Sequence, residues 1–314
     1  MILALLAAST VHAAAGWQAF VDSLQLGQLA GSAWRSILIL SASVLAVFLL
    51  ERRAGKGAAR YQSRAFFNDL VYSLFYRGGF FNIFLFSLLS NALQDRFPFL
   101  RTGLWPGLPL PIALAIFWIV GDFILYWVHR WQHASSVLWA FHSVHHTQER
   151  LNTLTQYRRH PLDRGLLELS IFVGLGILIG VPPAQWPPLY IAFQVLQALQ
   201  HAELDWRFGP LYPLIVSPVF HSIHHSPEGR QQNSNFGAMF SVWDYLFGTA
   251  VKDAPRPARY GVAGSRVPER LLHQLWEPFR LAARPAETAR AEGPKTAPPE
   301  TPPVSERRDR MTRS

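Results

Sequence analysis

The chain has 314 residues, of which 50% are hydrophobic and only 16% charged, and its mean hydropathy is +0.11. A soluble domain carries roughly 25% charged residues, so the composition argues against a simple soluble globule and predicts a protein partly immersed in lipid. Cys is absent, which excludes disulfides, thiolate catalysis, iron–sulfur clusters and thiolate-ligated haem; the net charge of +9 raises nucleic acid as a partner until the charges are placed along the chain.

Residues 1–32 form an N-terminal apolar or interfacial segment. No Lys or Arg precedes its apolar run, so residues 1–15 lack the basic start of a secretory signal and read as an interfacial or partly inserted helix. Residues 33–128 hold three apolar stretches near membrane-spanning length: Ala33 to Leu50, a second within Asp69 to Leu93, and Leu108 to Val128. Residues 129–252 are rich in histidine and include a membrane helical hairpin over 166–200. Its arms are Leu166 to Val181 and Pro188 to Gln200, and Pro182, Pro183 and Pro187 punctuate the turn. Gly174, Gly176 and Gly180 lie inside the first arm, where close helix packing explains them. A C-terminal extension covers 253–282, and 283–314, rich in Pro, Ala, Glu, Thr and Arg, is expected to be disordered. The expected fold is all-α: a multi-span helical membrane protein with a cytosolic histidine-rich di-metal cap.

Charge placement sets the orientation. If all five apolar segments cross, residues 51–65, 129–165 and everything after His201 share one side and hold 25 of the 29 Lys and Arg. The opposite side keeps Arg35, Arg96 and Arg101. Basic residues accumulate on the cytoplasmic side of a membrane protein, so the rich side is cytoplasmic and the N-terminus is on the other. Membrane orientation thus accounts for the positive charge, and nucleic acid is unnecessary.

Ten of the 12 histidines fall between positions 129 and 225. His129 and His133 form H-x-x-x-H; His142, His145 and His146 form H-x-x-H-H; His221, His224 and His225 repeat it. Residues three and four apart share a helix face, so each group can direct imidazoles to one point. Three groups supply more imidazoles than one ion holds, and two metal ions in one site is the simplest reading. His160 and His201 are expected to join as further ligands or ligand supports; His12 and His273 are read as ordinary. Asp122 lies two helical turns before His129 and either accepts a hydrogen bond from a ligand imidazole or satisfies Arg130 or backbone. Asn233, Asn235 and Asp244 are read as outer supports of the ligands or as structural residues. Imidazole suits Zn, Cu, Fe and Ni alike, so donor type alone leaves the metal open.

The motifs D-F-I-L-Y-W-V-H-R-W-Q-H from Asp122, F-H-S-V-H-H from Phe141, N-T-L-T-Q-Y-R-R-H-P from Asn152, L-Q-H-A-E-L from Leu199, F-H-S-I-H-H-S from Phe220, and N-F-G through W-D-Y-L-F-G-T ending at Thr249 resemble the fatty acid hydroxylase/sterol desaturase superfamily of integral-membrane di-iron oxygenases. The resemblance implies two iron ions (with zinc as a substitute on isolation), O2 as co-substrate, and hydroxylation or desaturation of a lipid such as a sterol or fatty acyl chain. Glu203 departs from it, standing in H-A-E-L where the family often has Asn. The chain carries no cytochrome b5-like domain or dinucleotide loop, so electrons are expected from a separate donor of ferredoxin or cytochrome b5 type with its reductase. A membrane zinc hydrolase, and a non-catalytic metal-binding or transport protein, are the alternatives.

Overall fold

The structure, a computed structural model, describes residues 26–77, 81, 96, 107–180, 186–262 and 270–283. Segments 1–15 and 283–314 of the sequence reading fall outside these residues but for Ala283, as do most of the second apolar stretch and the turn at 181–185. Among the described residues the regular structure is entirely helical.

Helix α1 (Leu26–Arg53) starts before the boundary expected at residue 33 and ends on Arg52 and Arg53. Helix α2 (Arg64–Arg77) carries the beginning of the second stretch. Helix α3 (Leu110–Ala134) runs without interruption from the third apolar stretch through His129 and His133. The first histidine pair therefore occupies the last turns of a membrane-length helix and not a loop beyond it. Among the described residues, two helical stretches are long and apolar enough to cross a membrane, Ala33–Arg53 and Pro111–Ala134. Trp34, Leu38, Leu45 and Leu49 on the first, and Ile112, Ile119 and Trp127 on the second, are exposed, as lipid-facing side chains are.

Ser135 leaves the helical conformation and caps helix α4 (Ser136–His146) by accepting from Leu138 N, which turns the H-x-x-H-H helix back toward α3. Helix α5 (Pro161–Ile171) continues as a π-helical stretch, Phe172–Ile179. It packs on α3, where a Cβ at Gly174 would approach Ile124 Cδ1 to 2.3 Å. Gly180 serves differently from the expectation of helix packing. It ends the stretch with φ 84°, a left-handed turn that favours glycine. Helix α6 (Trp186–Gln200) returns the chain to His201.

Ser217 caps the short helix α7 (Pro218–His224) by accepting from Phe220 N, with Pro218 in its first turn. Helices α8 (Gly229–Gln232) and α9 (Val242–Leu246) follow, and α10 (Leu271–Ala282) packs on α4. A core of Leu40, Tyr72, Tyr76, Val144, Leu154 and Tyr157 joins α1, α2, α4 and the 151–157 loop. Buried Asp69 locks α2 to that loop, accepting from Gln148, Asn152 and Arg158. Glu203 meets Arg60, and its backbone N–H donates to Glu51 Oε1 (2.7 Å), so this residue anchors the α6 exit to the end of α1.

Candidate metal centre

Nine of the ten histidines converge in two adjacent clusters. His129, His133, His142, His146 and His224 form one; His145, His201, His221 and His225 form the other, and the ligand atoms in each lie within 4.8 Å of one another. The triplets are divided between the clusters, contrary to the expectation that each faces one point. In each H-x-x-H-H, the first and last imidazoles serve one cluster and the middle one crosses to the other. The spacing explains the division. Residues four apart stack most closely along a helix, and the i+3 side chain diverges around the axis. The clusters touch: the rings of His146 and His225, and of His145 and His146, have centroids 4.6 and 5.4 Å apart.

Nitrogen–nitrogen distances test whether a metal fits. His221 and His201 Nε2 are 3.0 Å apart, His225 and His221 Nε2 3.1 Å, His146 and His142 Nε2 3.3 Å, and His201 and His145 Nε2 3.4 Å. With metal–nitrogen bonds of about 2.1 Å, neighbouring ligands are roughly 3.0 Å apart at 90° and 3.4 Å at the tetrahedral angle. The nitrogens thus sit at the edges of coordination polyhedra. Among the described residues, His129 Nε2 and His224 Nε2 are buried without a hydrogen-bond partner, which a metal would satisfy. Burial pushes the imidazoles of His142, His145, His146, His221 and His225 below their ordinary value, with His201 at about 4 and His224 at about 3. Neutral imidazole is the form that binds metal. The residues fit two ions.

Four rings are fixed through their second nitrogen, which orients the ligand atom. His129 Nδ1 bonds Phe236 O (2.9 Å), His201 Nδ1 bonds Gln197 O (2.8 Å), His224 Nδ1 bonds Ser234 O (2.7 Å), and His142 Nδ1 bonds Asp163 Oδ1 (3.1 Å). Asp163 was not singled out in the sequence. It also accepts from Gln132 Nε2 (2.5 Å) and Arg159 Nη1 (3.0 Å). The only local hint was its position three residues after His160 in the stretch H-P-L-D.

His160 belongs to neither cluster. Its Nε2 bonds Leu275 O (3.1 Å), joining the start of α5 to α10, and its Nδ1 accepts from Leu162 N (3.1 Å) in the first turn of α5, so both nitrogens are engaged. Asp122 reaches no histidine: it accepts from Met239 N (2.7 Å), Phe240 N (2.9 Å) and Trp243 Nε1 (2.9 Å), the backbone-satisfying alternative. Asp244 accepts from Phe236 N, Gly237 N and Thr249 Oγ1. These two carboxylates thereby shape the 236–243 loop whose Phe236 carbonyl holds His129. Asn235, at φ 55°, donates to Phe220 O and accepts from Val251 N, a structural role. Asn233 donates to Gly229 O and stands beside His133. His273 is exposed on α10, and His12 lies outside the described residues.

A cavity opens against this centre. Its apolar wall includes Phe117, Trp118, Leu125, Leu167, Ile171 and Leu175, and it ends at His129. A mostly apolar cleft with a few converging polar groups is the usual form of a small-molecule site.

The fatty acid hydroxylase family profile matches residues 114–249. Ornithine lipid hydroxylase OlsE of Rhizobium tropici is 29% identical over 269 residues, covering 80% of this chain and 77% of that protein. Methylsterol monooxygenase 1-3 of Arabidopsis thaliana is 28% identical over 60% of this chain and 64% of its own length. Alkylglycerol monooxygenase of Xenopus tropicalis is 31% identical over 51% of this chain, but the match spans only a third (33%) of that protein. No solved structure matches. The family match covers every clustered histidine, and together with the relatives and the helical fold it supports the fatty acid hydroxylase/sterol desaturase superfamily, an O2-dependent lipid oxidoreductase and a membrane protein.

Proposed function

We propose that this chain hydroxylates a membrane lipid at a di-iron centre held by the nine clustered histidines, on the cytoplasmic side of the membrane. The observation that carries the reading is the meeting of an apolar cavity with two adjoining all-imidazole clusters at His129. Iron rather than zinc follows from the chemistry, since O2 activation requires a redox metal. Bound there, the two ions supply the O2 chemistry and electron acceptance that the side chains lack. The protein supplies position and dryness. Phe117, Trp118 and Leu125 on α3, with Leu167, Ile171 and Leu175 on α5, hold an alkyl or ring portion against the His129 end and exclude water from the reacting carbon. The named actions of the relatives, on an ornithine lipid, a methylsterol and an alkylglycerol, support a lipid with a polar part as substrate.

Electrons come from a separate donor, and the basic side of the chain suits an acidic protein of ferredoxin or cytochrome b5 type. The concentration of 25 of 29 Lys and Arg on one side of a five-crossing arrangement supports a cytoplasmic centre with the N-terminus opposite. The test combines lipid profiling of the host with and without the gene, metal content of the purified chain, and turnover with and without O2. Close to two irons per chain and strict O2 dependence are expected. A product formed at full rate without O2 would overturn the reading.

A further inference from the structure

Helix α10 lies beyond the residues that the family profile matches, and it has three sides rather than two. Gln274 and Pro278 are buried, and Leu271 and Leu275 pack against the core that contains Leu40, Tyr72 and Tyr76. Leu272, Trp276 and Phe279 form a second row and are 78%, 66% and 44% exposed. His273 and Arg280 form a third row, exposed and polar, with Arg280 paired to Glu277 (3.5 Å). At about 100° per residue, the three rows fall roughly a third of a turn apart around the helix. A helix lying between protein and water needs only a packed face and a polar one. The row of Leu272, Trp276 and Phe279 calls for an apolar surrounding on its outer side.

The packing says which one. Leu40 lies on the membrane-length stretch Ala33–Arg53, roughly 20 Å of helix before Arg53. The core that receives Leu271 and Leu275 therefore reaches well below the basic end of α1, and α10 sits against the membrane-spanning part of the fold. Phe279 rests on Phe141 and His160, with ring centroids 5.3 and 5.4 Å away. His160 directly precedes α5, the arm that enters the hairpin; Leu162 at its start is exposed, as is Val137 one turn before Phe141 on α4. The exposed row of α10 thus continues an apolar edge at the mouth of that arm. We infer that α10 is an interfacial helix, with Leu272, Trp276 and Phe279 submerged in the leaflet on the histidine side and the polar row facing the water there. The occupant of the exposed face is the lipid surface. Trp suits the headgroup level, and exposed Arg270 and Arg280, near the two ends of the helix, meet anionic lipid phosphates. Leu275 O holds His160 Nε2 (3.1 Å), so the same helix ties the start of α5 to the membrane surface. The inference rests on α1 crossing the membrane and makes no use of the cavity.

The chain has no Cys, so single-cysteine variants take a spin label at one place each. The full chain is reconstituted in vesicles of phosphatidylcholine and phosphatidylglycerol. Collisions of the label with O2, which favours lipid, are compared with those of a water-soluble nickel chelate. Labels at Leu272→Cys, Trp276→Cys and Phe279→Cys are expected to report lipid, about 5–10 Å below the headgroup level. Labels at His273→Cys and Arg280→Cys are expected to report water. Water at every α10 position overturns the inference. Shielding of the apolar row from both reagents overturns it too, because protein then covers that row, and spin–spin broadening there would identify the cover as a second copy. Leu45→Cys on α1 is the control. Lipid at Leu45 with water at Leu272, Trp276 and Phe279 removes this inference alone, whereas water at Leu45 as well removes the membrane-spanning reading of α1 with it. The labelled side chains are exposed, so each substitution leaves the packed face of α10 intact, and each label decides independently of the others.

Discussion

Asp163→Asn is the most revealing single change, because one buried carboxylate serves a ligand, a cation and an amide at once. Asp163 is nearly inaccessible, and its partners His142 Nδ1, Arg159 Nη1 and Gln132 Nε2 lie at 3.1, 3.0 and 2.5 Å. Asn preserves the shape but removes the charge, leaving the Arg159 guanidinium buried without its counter-ion. Breaking a buried pair from one side costs about 3–5 kcal/mol, a large share of the roughly 5–15 kcal/mol that stabilises a typical domain. His142 loses the acceptor that fixes its ring, and such losses weaken metal binding about 10–100-fold. The two effects separate in the double variant Asp163→Asn with Arg159→Met, which removes the stranded charge. Thermal unfolding should show much of the stability restored, while chelator titration followed by mass spectrometry should still release one ion of two at 10–100-fold lower chelator. Release of both ions at the wild-type chelator concentration, from folded Asp163→Asn protein, would refute the assignment of Asp163 as the group that orients His142.

The crossing of the triplets gives a finer expectation: His145→Ala should weaken the four-histidine centre and His146→Ala the five-histidine centre, though the residues are adjacent. Metal content per chain would distinguish this from a single merged site, in which both variants lose the same ion. His160→Ala should keep both ions and lose only about 1 kcal/mol, for a bond to Leu275 O, in thermal unfolding. Gly237→Ala would bring a Cβ to 2.5 Å from Phe240 O, a backbone atom, so it should cost about 1–3 kcal/mol and loosen the Phe236 carbonyl that holds His129. Acid sensitivity follows from the depressed imidazoles. The unfolded chain takes up protons near pH 6.5, whereas folded His201 waits until about 4 and His224 until about 3. The unfolded state thus binds more protons across that window, and stability falls as pH falls from 6.5, by up to about 1.4 kcal/mol per unit per histidine. Melting temperature of the metal-free chain should drop steeply between pH 7 and 5; a flat profile would contradict neutral buried histidines.

Composition and spacing carry much of this protein. The scarcity of charge and the apolar runs at 33–50 and 108–128 specify membrane-length helices, because lipid demands long apolar segments wherever they lie in the fold. The histidine motifs specify metal ligation because i, i+3 and i+4 spacing on a helix is a local property. Local spacing could not say which imidazoles share an ion: that depends on how α4 and α7 cross, and it sends His145 to the cluster of His221 and His224 to that of His129. Nor could it separate His160, whose nitrogens are claimed by Leu162 and by Leu275 from a helix more than a hundred residues away. Asp122 and Asp244 share the acidic character of Asp163, yet only Asp163 reaches a ligand, because the cap before α4 and the packing of α5 on α3 bring positions 132, 142, 159 and 163 together. Helical periodicity acts over one or two turns and is written in the chain; the pairing of polar groups across elements exists only once those elements pack, and it is there that ligands and supports are told apart.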